Sequence, residues 1–198
     1  MVDVVNRIRA LLPELEAALP AGIQLSVLTD REFFQGSLSD LEMARAAVSL
    51  PVLRKDFTLD PFHVIEAAAH GADAILLITA LLNETELRDL RELAASYGMA
   101  SLVEVHDATE LKIALASGAE IVGVNNRNLH TFQVSHHTSK ELARDIPANV
   151  LRVSESGIQL RSDVVSLQQA GYHAFLVGEY LMNKGHDARR AALKELRS

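Results

Sequence analysis

The sequence predicts an α/β fold of the parallel-barrel kind, a (βα)8 unit that lacks its opening strand. Three observations carry that reading. Short apolar stretches alternate with amphipathic ones at a strand-to-strand period of about 20 to 30 residues, the rhythm of repeated βα units. Two strands, Ala74-Ile75-Leu76-Leu77-Ile78 and Ile121-Val122-Gly123-Val124, are apolar on both faces, as parallel strands covered by helices are. A charged or amide residue also stands where several strands stop: Lys55, Glu104, Asn125 and Glu155.

Residues 2–19 place Val4, Val5, Ile8, Leu11, Leu12, Leu15 and Leu19 at helical spacing, which predicts an amphipathic helix. Pro13 kinks or restarts it, and Pro20-Ala21-Gly22 ends it. The first strand covers 23–28, and the loop from Thr29 to Ser37 leads to a helix over 38–47. Further strands fall near 51–54, 73–78, 100–105, 120–124, 149–153 and 173–177. Helices fall near 61–69, 84–96, 107–116, 138–143, 160–169 and 187–196. Asp60-Pro61, Asn83 with Glu86, and Asp107 with Glu110 signal helix starts. Gly71, Gly98, Gly118 and Gly171 fall where left-handed caps hand helices back to strands. Seven strands and a leading helix make an incomplete TIM-type barrel. We read 1–198 as one domain, with 1–22 an atypical N-terminal helix and 23–198 the barrel.

Composition bounds the function. A chain of 198 residues that is 48% hydrophobic and 23% charged holds one core and is not disordered. No apolar run reaches the roughly 18 residues of a membrane span, and Met1-Val2-Asp3-Val4 lacks a basic signal region. The expectation is a cytoplasmic protein with no membrane partner. The absence of Cys excludes a disulfide framework, a thiolate nucleophile and cysteine metal sites. A net charge of -7 argues against nonspecific nucleic-acid binding, so a few local donors would have to hold any anionic ligand.

Reactive groups of βα barrels come from strand tips at the carboxyl end. Lys55 suits a general acid or the neutralisation of an oxyanion; the plain alternative is a solvated lysine entering a loop. Glu104, between Val103 and Val105, should point inward, where a carboxylate serves acid–base chemistry or a structural ion pair. Asn125, Asn126 and Arg127 suit a carboxylate, hydroxyl or carbonyl on a substrate, although Asn pairs also make turns. Ser154-Glu155-Ser156-Gly157 and Val177-Gly178-Glu179 follow the last two strands, the usual place of a phosphate cradle. His136 and His137 do not converge as metal ligands would, and we assign no metal. His106 and His130 read as loop or surface residues. Phe33 and Phe34 wall an aromatic substrate or plug the barrel top.

Residues 25–182 resemble the indole-3-glycerol-phosphate synthases. The matching text is Ser26-Val27-Leu28-Thr29-Asp30, Phe33-Phe34-Gln35-Gly36-Ser37, Leu53-Arg54-Lys55-Asp56-Phe57, Leu102-Val103-Glu104-Val105-His106-Asp107, Gly123-Val124-Asn125-Asn126-Arg127-Asn128-Leu129 and Ser154-Glu155-Ser156-Gly157-Ile158. The resemblance implies a phosphorylated small-molecule substrate, 1-(o-carboxyphenylamino)-1-deoxyribulose 5-phosphate, which closes to an indole with loss of CO2 and water. It implies no cofactor and no metal. By the same resemblance Lys55 is the general acid and Glu104 the acid–base group. Asn125 and Glu155 orient and stabilise the intermediate, and Arg127 lies near the anthranilate carboxylate. Phe34 and Phe57 form the aromatic pocket, and Ser156, Gly157, Gly178 and Glu179 lie at the phosphate end.

Two departures stand out. The family's first strand, with its Glu-x-Lys pair, has no counterpart here, and no Lys precedes Lys55. Tyr180 also replaces a small residue beside the phosphate loop. Residues 2–30 in turn resemble a periplasmic segment of resistance-nodulation-division efflux pumps, which implies a recombined or engineered chain joined at Ser26-Val27-Leu28-Thr29-Asp30. Open strand edges at 23–28 and 173–177 call for closure by the N-terminal helix, collapse to seven strands or pairing between chains, and of these we favour pairing and hence a homo-oligomer. The competing functional readings are an impaired synthase, an inactive barrel scaffold that still binds phosphate, and another sugar-phosphate barrel such as a phosphoribosyl isomerase.

Overall fold

The computed structural model describes residues 24–128 and 131–197. The helix predicted over 2–19, and His130, lie outside the described residues. The chain divides into two compact units. One takes the described residues up to Leu77 together with Arg88–Ser101, the other Ile78–Leu87 and the residues from Leu102 onward.

The first unit contains β1 (Leu25–Leu28), α1 (Leu38–Ala47), β2 (Val52–Lys55), α2 (Pro61–Ala69), β3 (Ala74–Ile78, all but its last residue) and most of α3 (Glu84–Ser96). Its strands are parallel in the order β1-β2-β3, with Leu28 opposite Lys55 and Leu53 opposite Ala74. Local chemistry starts each helix. Ser37 caps α1 by accepting the Asp40 amide, and Asp60 caps α2 by accepting the Phe62 amide ahead of Pro61. Ala44 and Val48 then bury against Leu25 and Val27, which fixes α1 on β1. The Asp73 carboxylate accepts from Arg45 at 2.9 Å and from the Val52 amide at 2.8 Å, so the base of β2 is pinned to the α1 helix.

The second unit begins with a 3-10 turn, Thr79–Leu81. There follow β4 (Ala100–Val105, all but its first two residues), α4 (Ala108–Ala116), β5 (Ile121–Asn125), α5 (His137–Leu142), β6 (Leu151–Glu155), α6 (Arg161–Gln169), β7 (Ala174–Leu176), α7 (Glu179–Met182) and α8 (His186–Arg197). Strands β4 to β7 are parallel and neighbour one another in sequence order. Leu102, Val103 and Val105 of β4, Val122 and Val124 of β5 and Val153 of β6 are buried, with Leu111 and Leu167 packed from the helices. Burial on both strand faces is what a covered parallel sheet requires.

Seven parallel strands alternating with helices are the elements of an incomplete TIM-type α/β barrel, as predicted. Asp60, Asn83 and Asp107 cap as their sequences foretell; Asn83 and Glu86 bond reciprocally to each other's amides at 2.8 and 3.1 Å. Gly71, Gly98, Gly118 and Gly171 take φ of +82°, +74°, +84° and +96°. Two elements were not predicted, the 3-10 turn and α7. Both are too short to show a helical period. The sixth strand starts at Leu151 rather than 149, because the Val150 amide closes a turn on the Pro147 carbonyl at 3.1 Å. Among the described residues no helix is long and apolar enough to cross a membrane.

Candidate active site

In the first unit the tip of β2 is built around Arg54, not around Lys55 alone. Arg54 is 5% exposed. Its guanidinium donates to the Thr29 hydroxyl at 3.0 Å, the His63 carbonyl at 3.0 Å, Asp56 at 3.0 Å and Glu66 at 2.8 Å. The Thr29 hydroxyl donates in turn to Asp56 at 2.5 Å. A buried cation with this many acceptors is held hard, since each partner compensates its desolvation. Lys55, half-buried, therefore leaves the strand between two anchored neighbours. Beyond it Phe57 stacks on Phe34 at a centroid distance of 6.0 Å and meets Phe33 edge-on at 5.6 Å. Phe33 and Phe34 are themselves 69% and 49% exposed, so this aromatic group is an open surface rather than a plug.

In the second unit three strand tips converge on one amide. Asn125 donates from Nδ2 to Glu104 Oε1 at 3.1 Å, while its Oδ1 accepts from the Ser156 hydroxyl at 2.8 Å and the Arg127 amide at 3.0 Å. A carboxylate only accepts, so these partners fix which way the amide faces. Glu104 is 3% and Glu155 1% exposed. Gly123 lies opposite Glu104 in the β4–β5 register, and a Cβ there would run into the Glu155 carboxylate. The glycine thus opens the space through which Glu155 reaches over β5. Ser156 holds φ of +68° and Gly157 +79°. A left-handed serine costs about 1–3 kcal/mol, and its bond to Asn125 helps offset that.

A second polar layer lies beneath. Asn126, 2% exposed, donates to the Ser154 hydroxyl at 3.0 Å and the Glu155 carbonyl at 2.9 Å, and accepts from the Ser139 amide at 3.2 Å. Ser139 and Ser154 share a hydroxyl bond of 2.9 Å, and the Tyr172 hydroxyl donates to the Ser139 carbonyl at 2.7 Å. Burial pushes the Tyr172 phenol up to about 12, so it stays a neutral donor. This layer ties β5 to β6 directly under Asn125 and Glu155.

His106 lies in the loop after β4, as read from the sequence, but it is not a surface residue. Its side chain is 13% exposed. Nδ1 lies 3.0 Å from Glu110 Oε2 and Nε2 3.3 Å from Glu104 Oε1. Burial lowers its pKa, but contact with Glu104 and Glu110 and their charges outweigh that and raise it from 6.5 to about 9. The Glu110 carboxylate also accepts the His106 amide at 2.7 Å, which orients the ring as α4 begins.

Arg127, read from the sequence near the anthranilate carboxylate, and Glu179, read at the phosphate end, form an ion pair. With His136, Gly157 and Asp163 they line an open groove of about 430 Å³. Gly178 and Glu179 are exposed, and Gly178 caps the unpredicted α7. His136 faces Asp163 at 3.9 Å and His137 faces Glu141 at 3.0 Å, so the two rings serve different carboxylates. Among the described residues no cluster of three or more His, Asp or Glu side chains is arranged to hold a metal ion. Lys55, Phe34 and Phe57 thus stand on the first unit; Glu104, Asn125, Glu155, Ser156, Gly157, Arg127, Gly178 and Glu179 stand on the second.

Parallel βα units whose strands end in a lysine in the first unit, and in two buried carboxylates and a bridging amide in the second, define a protein of the TIM-type α/β class with polar strand tips. A family model, indole-3-glycerol phosphate synthase, matches residues 14–196. The chain belongs to that family. It is 53% identical over 187 residues to the indole-3-glycerol phosphate synthase of Koribacter versatilis, covering 94% of this chain and 70% of that protein. To the synthase of Delftia acidovorans it is 51% identical over 158 residues, 80% of this chain and 59% of that protein. The chain therefore spans between 59% and 70% of the length of these relatives. The structure of the N-acetylmannosamine-6-phosphate 2-epimerase from Clostridium perfringens aligns at a TM-score of 0.68 and 13% identity, over 87% of this chain and 78% of that one. At that identity the likeness is one of fold alone. The family match includes residues 14–30, part of the segment read from the sequence as efflux-pump-like.

Proposed function

We propose that the chain carries indole-3-glycerol phosphate synthase chemistry. In that reaction the aryl carbon bearing the carboxylate attacks the ketose carbonyl, CO2 leaves, and the resulting hydroxyl departs as water to give the indole. The observation that supports this most is the bridge from Glu104 through Asn125 to Ser156, which joins an acid–base carboxylate to a turn with two left-handed residues. In this reading Lys55 protonates the carbonyl and then the departing hydroxyl, and Glu104 moves the proton released at the ring. Asn125 and Glu155 hold the intermediate. Arg127 takes the anthranilate carboxylate, Phe34 and Phe57 take its ring, and Ser156, Gly157, Gly178 and Glu179 mark the phosphate end. The reaction calls on no metal and no cofactor.

Incubation with the carboxyphenylamino-deoxyribulose phosphate, followed by indole fluorescence, tests the reading. The chain has no Trp, so the background is low. We expect turnover that drops at least about a hundredfold in Lys55→Ala, the scale of a lost general acid. Equal signals from the parent and the variant would refute the assigned role.

A second reading is an inactive barrel that still binds phosphate. The Arg127–Glu179 pair favours the inactive half of it, because it engages the guanidinium assigned to the anthranilate carboxylate, while the Glu179 carboxylate itself weighs against an anion at that spot. No turnover from a folded chain that nonetheless binds inorganic phosphate would select it. We further propose a cytoplasmic protein that associates with its own copies through β1 and β7; a monodisperse monomer by light scattering would count against the association. Recombination at 26–30 is our reading of the front end, and the family match from residue 14 weighs against so late a junction. One uninterrupted synthase gene at the source locus would overturn it.

A further inference from the structure

We propose that His106 is a positioning residue for Glu104: an imidazolium, clamped from behind by Glu110, holds the Glu104 carboxylate ionised and fixed beside Asn125. The proposal rests on the reading of Glu104 as the acid–base group and deepens it. Three features of the geometry carry it. Glu104 and His106 lie two residues apart along β4 and its end, so their side chains leave the same face. Glu104 Oε1 is thereby met from two sides, by Asn125 Nδ2 at 3.1 Å and by His106 Nε2 at 3.3 Å. Nε2 is shielded from solvent and, although close to the carboxylate, is not aligned for a hydrogen bond. The contact is a close ion pair.

Glu110 supplies the second half of the clamp. Its Oε2 lies 3.0 Å from His106 Nδ1 and accepts the His106 amide at 2.7 Å. One carboxylate oxygen thus fixes both the ring and the backbone of the residue. Glu110 is itself placed by the Asp107 cap, whose carboxylate takes the Thr109 and Glu110 amides at 2.8 and 2.9 Å. With both ring nitrogens turned to carboxylates, the ring is held in its doubly protonated form. The charged groups facing His106 are Glu104 on its own strand and Glu110 on α4. Neighbouring β5 contributes the neutral Asn125, β6 contributes Glu155 over Gly123, and the 3-10 turn packed on α4 carries no charged residue.

An adjacent cation favours the ionised carboxylate, so the consequence has a definite sign. Removing the charge at His106 should raise the pH at which Glu104 titrates. Removing the charge at Glu110 should let His106 release its proton at lower pH.

The test is an NMR titration of the full chain carrying carboxyl-13C glutamate and ring-15N histidine. The Glu104 and His106 signals are assigned by their loss in Glu104→Gln and His106→Gln. The expected result is a His106 ring still protonated at pH 7 in the parent. In His106→Gln the Glu104 titration should move upward by at least about one pH unit. Glu110→Gln supplies the same test without touching the ring, and should lower the His106 titration by a similar amount. A Glu104 titration that stays in place in a folded His106→Gln chain overturns the proposal, as does a neutral His106 ring at pH 7 in the parent. Turnover is read in parallel. If the parent turns over, the acid limb of kcat/KM should move with the Glu104 signal. If it does not, the missing turnover counts against the synthase reading alone, and a Glu104 shift still supports the clamp.

Discussion

Asn125 shows how much one side chain organises. Its amide has one donor edge and one acceptor edge, and the structure spends both on residues 21 and 31 positions away. Gly123, two residues earlier, matters for what it lacks. A Cβ there would collide with the Glu155 carboxylate and come within 3.1 Å of Leu102 Cδ1. Gly123→Ala should therefore push Glu155 out of its buried seat. The expected outcome is a destabilisation of about 1–3 kcal/mol by urea unfolding, the scale of an overpacked core, together with loss of most turnover. A variant as stable and active as the parent would show that the space is not needed. At this scale the sequence was legible in part. Glu104, Asn125 and Glu155 stand out because polar residues at the end of apolar strands are expensive to keep without partners. The partners themselves were not legible, because they depend on which tips the parallel register sets side by side, Gly123 opposite Glu104 and Asn125 opposite Glu155. The loop position of His106 was legible but its partners were not, for the same reason: nothing in Val105-His106-Asp107 announces that the next helix will return a carboxylate to the ring from four residues on.

Among elements, β2 and its helix illustrate the same logic. Arg54 sits inside an apolar strand, and its partners come from the β1 tip, the β2 exit and α2. The sequence drew attention to Lys55 and passed over its neighbour. The available signal was an arginine preceded by Val52 and Leu53 with Asp56 two residues on, a charge that a buried strand tolerates only with acceptors. Arg54→Met should destabilise the chain by about 3–5 kcal/mol in chemical denaturation, since it leaves Asp56 and Glu66 facing each other without their cation. Arg54→Lys should recover only part of that, because one ammonium cannot span the acceptors a planar guanidinium reaches. Full stability in Arg54→Met would mean the network is ornamental. Helix limits, by contrast, were readable nearly to the residue. Caps such as Asp60, Asn83 and Asp107 act within a single turn, and local chemistry is what a sequence displays directly. The 3-10 turn and α7 fell below that horizon because three and four residues establish no period.

For the whole molecule, the alternation of strand and helix was enough to predict the parallel class, since βα repetition admits few topologies. Family membership adds the expected chemistry, while the chain's 59–70% coverage of its relatives leaves its own turnover to be established. The proposed reaction differs from simple phosphate binding in one product above all, the carbon dioxide lost as the ring closes. The decisive measurement is release of labelled CO2 from substrate carrying 13C in its carboxylate. The account predicts one labelled CO2 for each indole formed, with both products falling together in Lys55→Ala and Glu104→Gln. Folded protein that releases no label above a protein-free blank would contradict it.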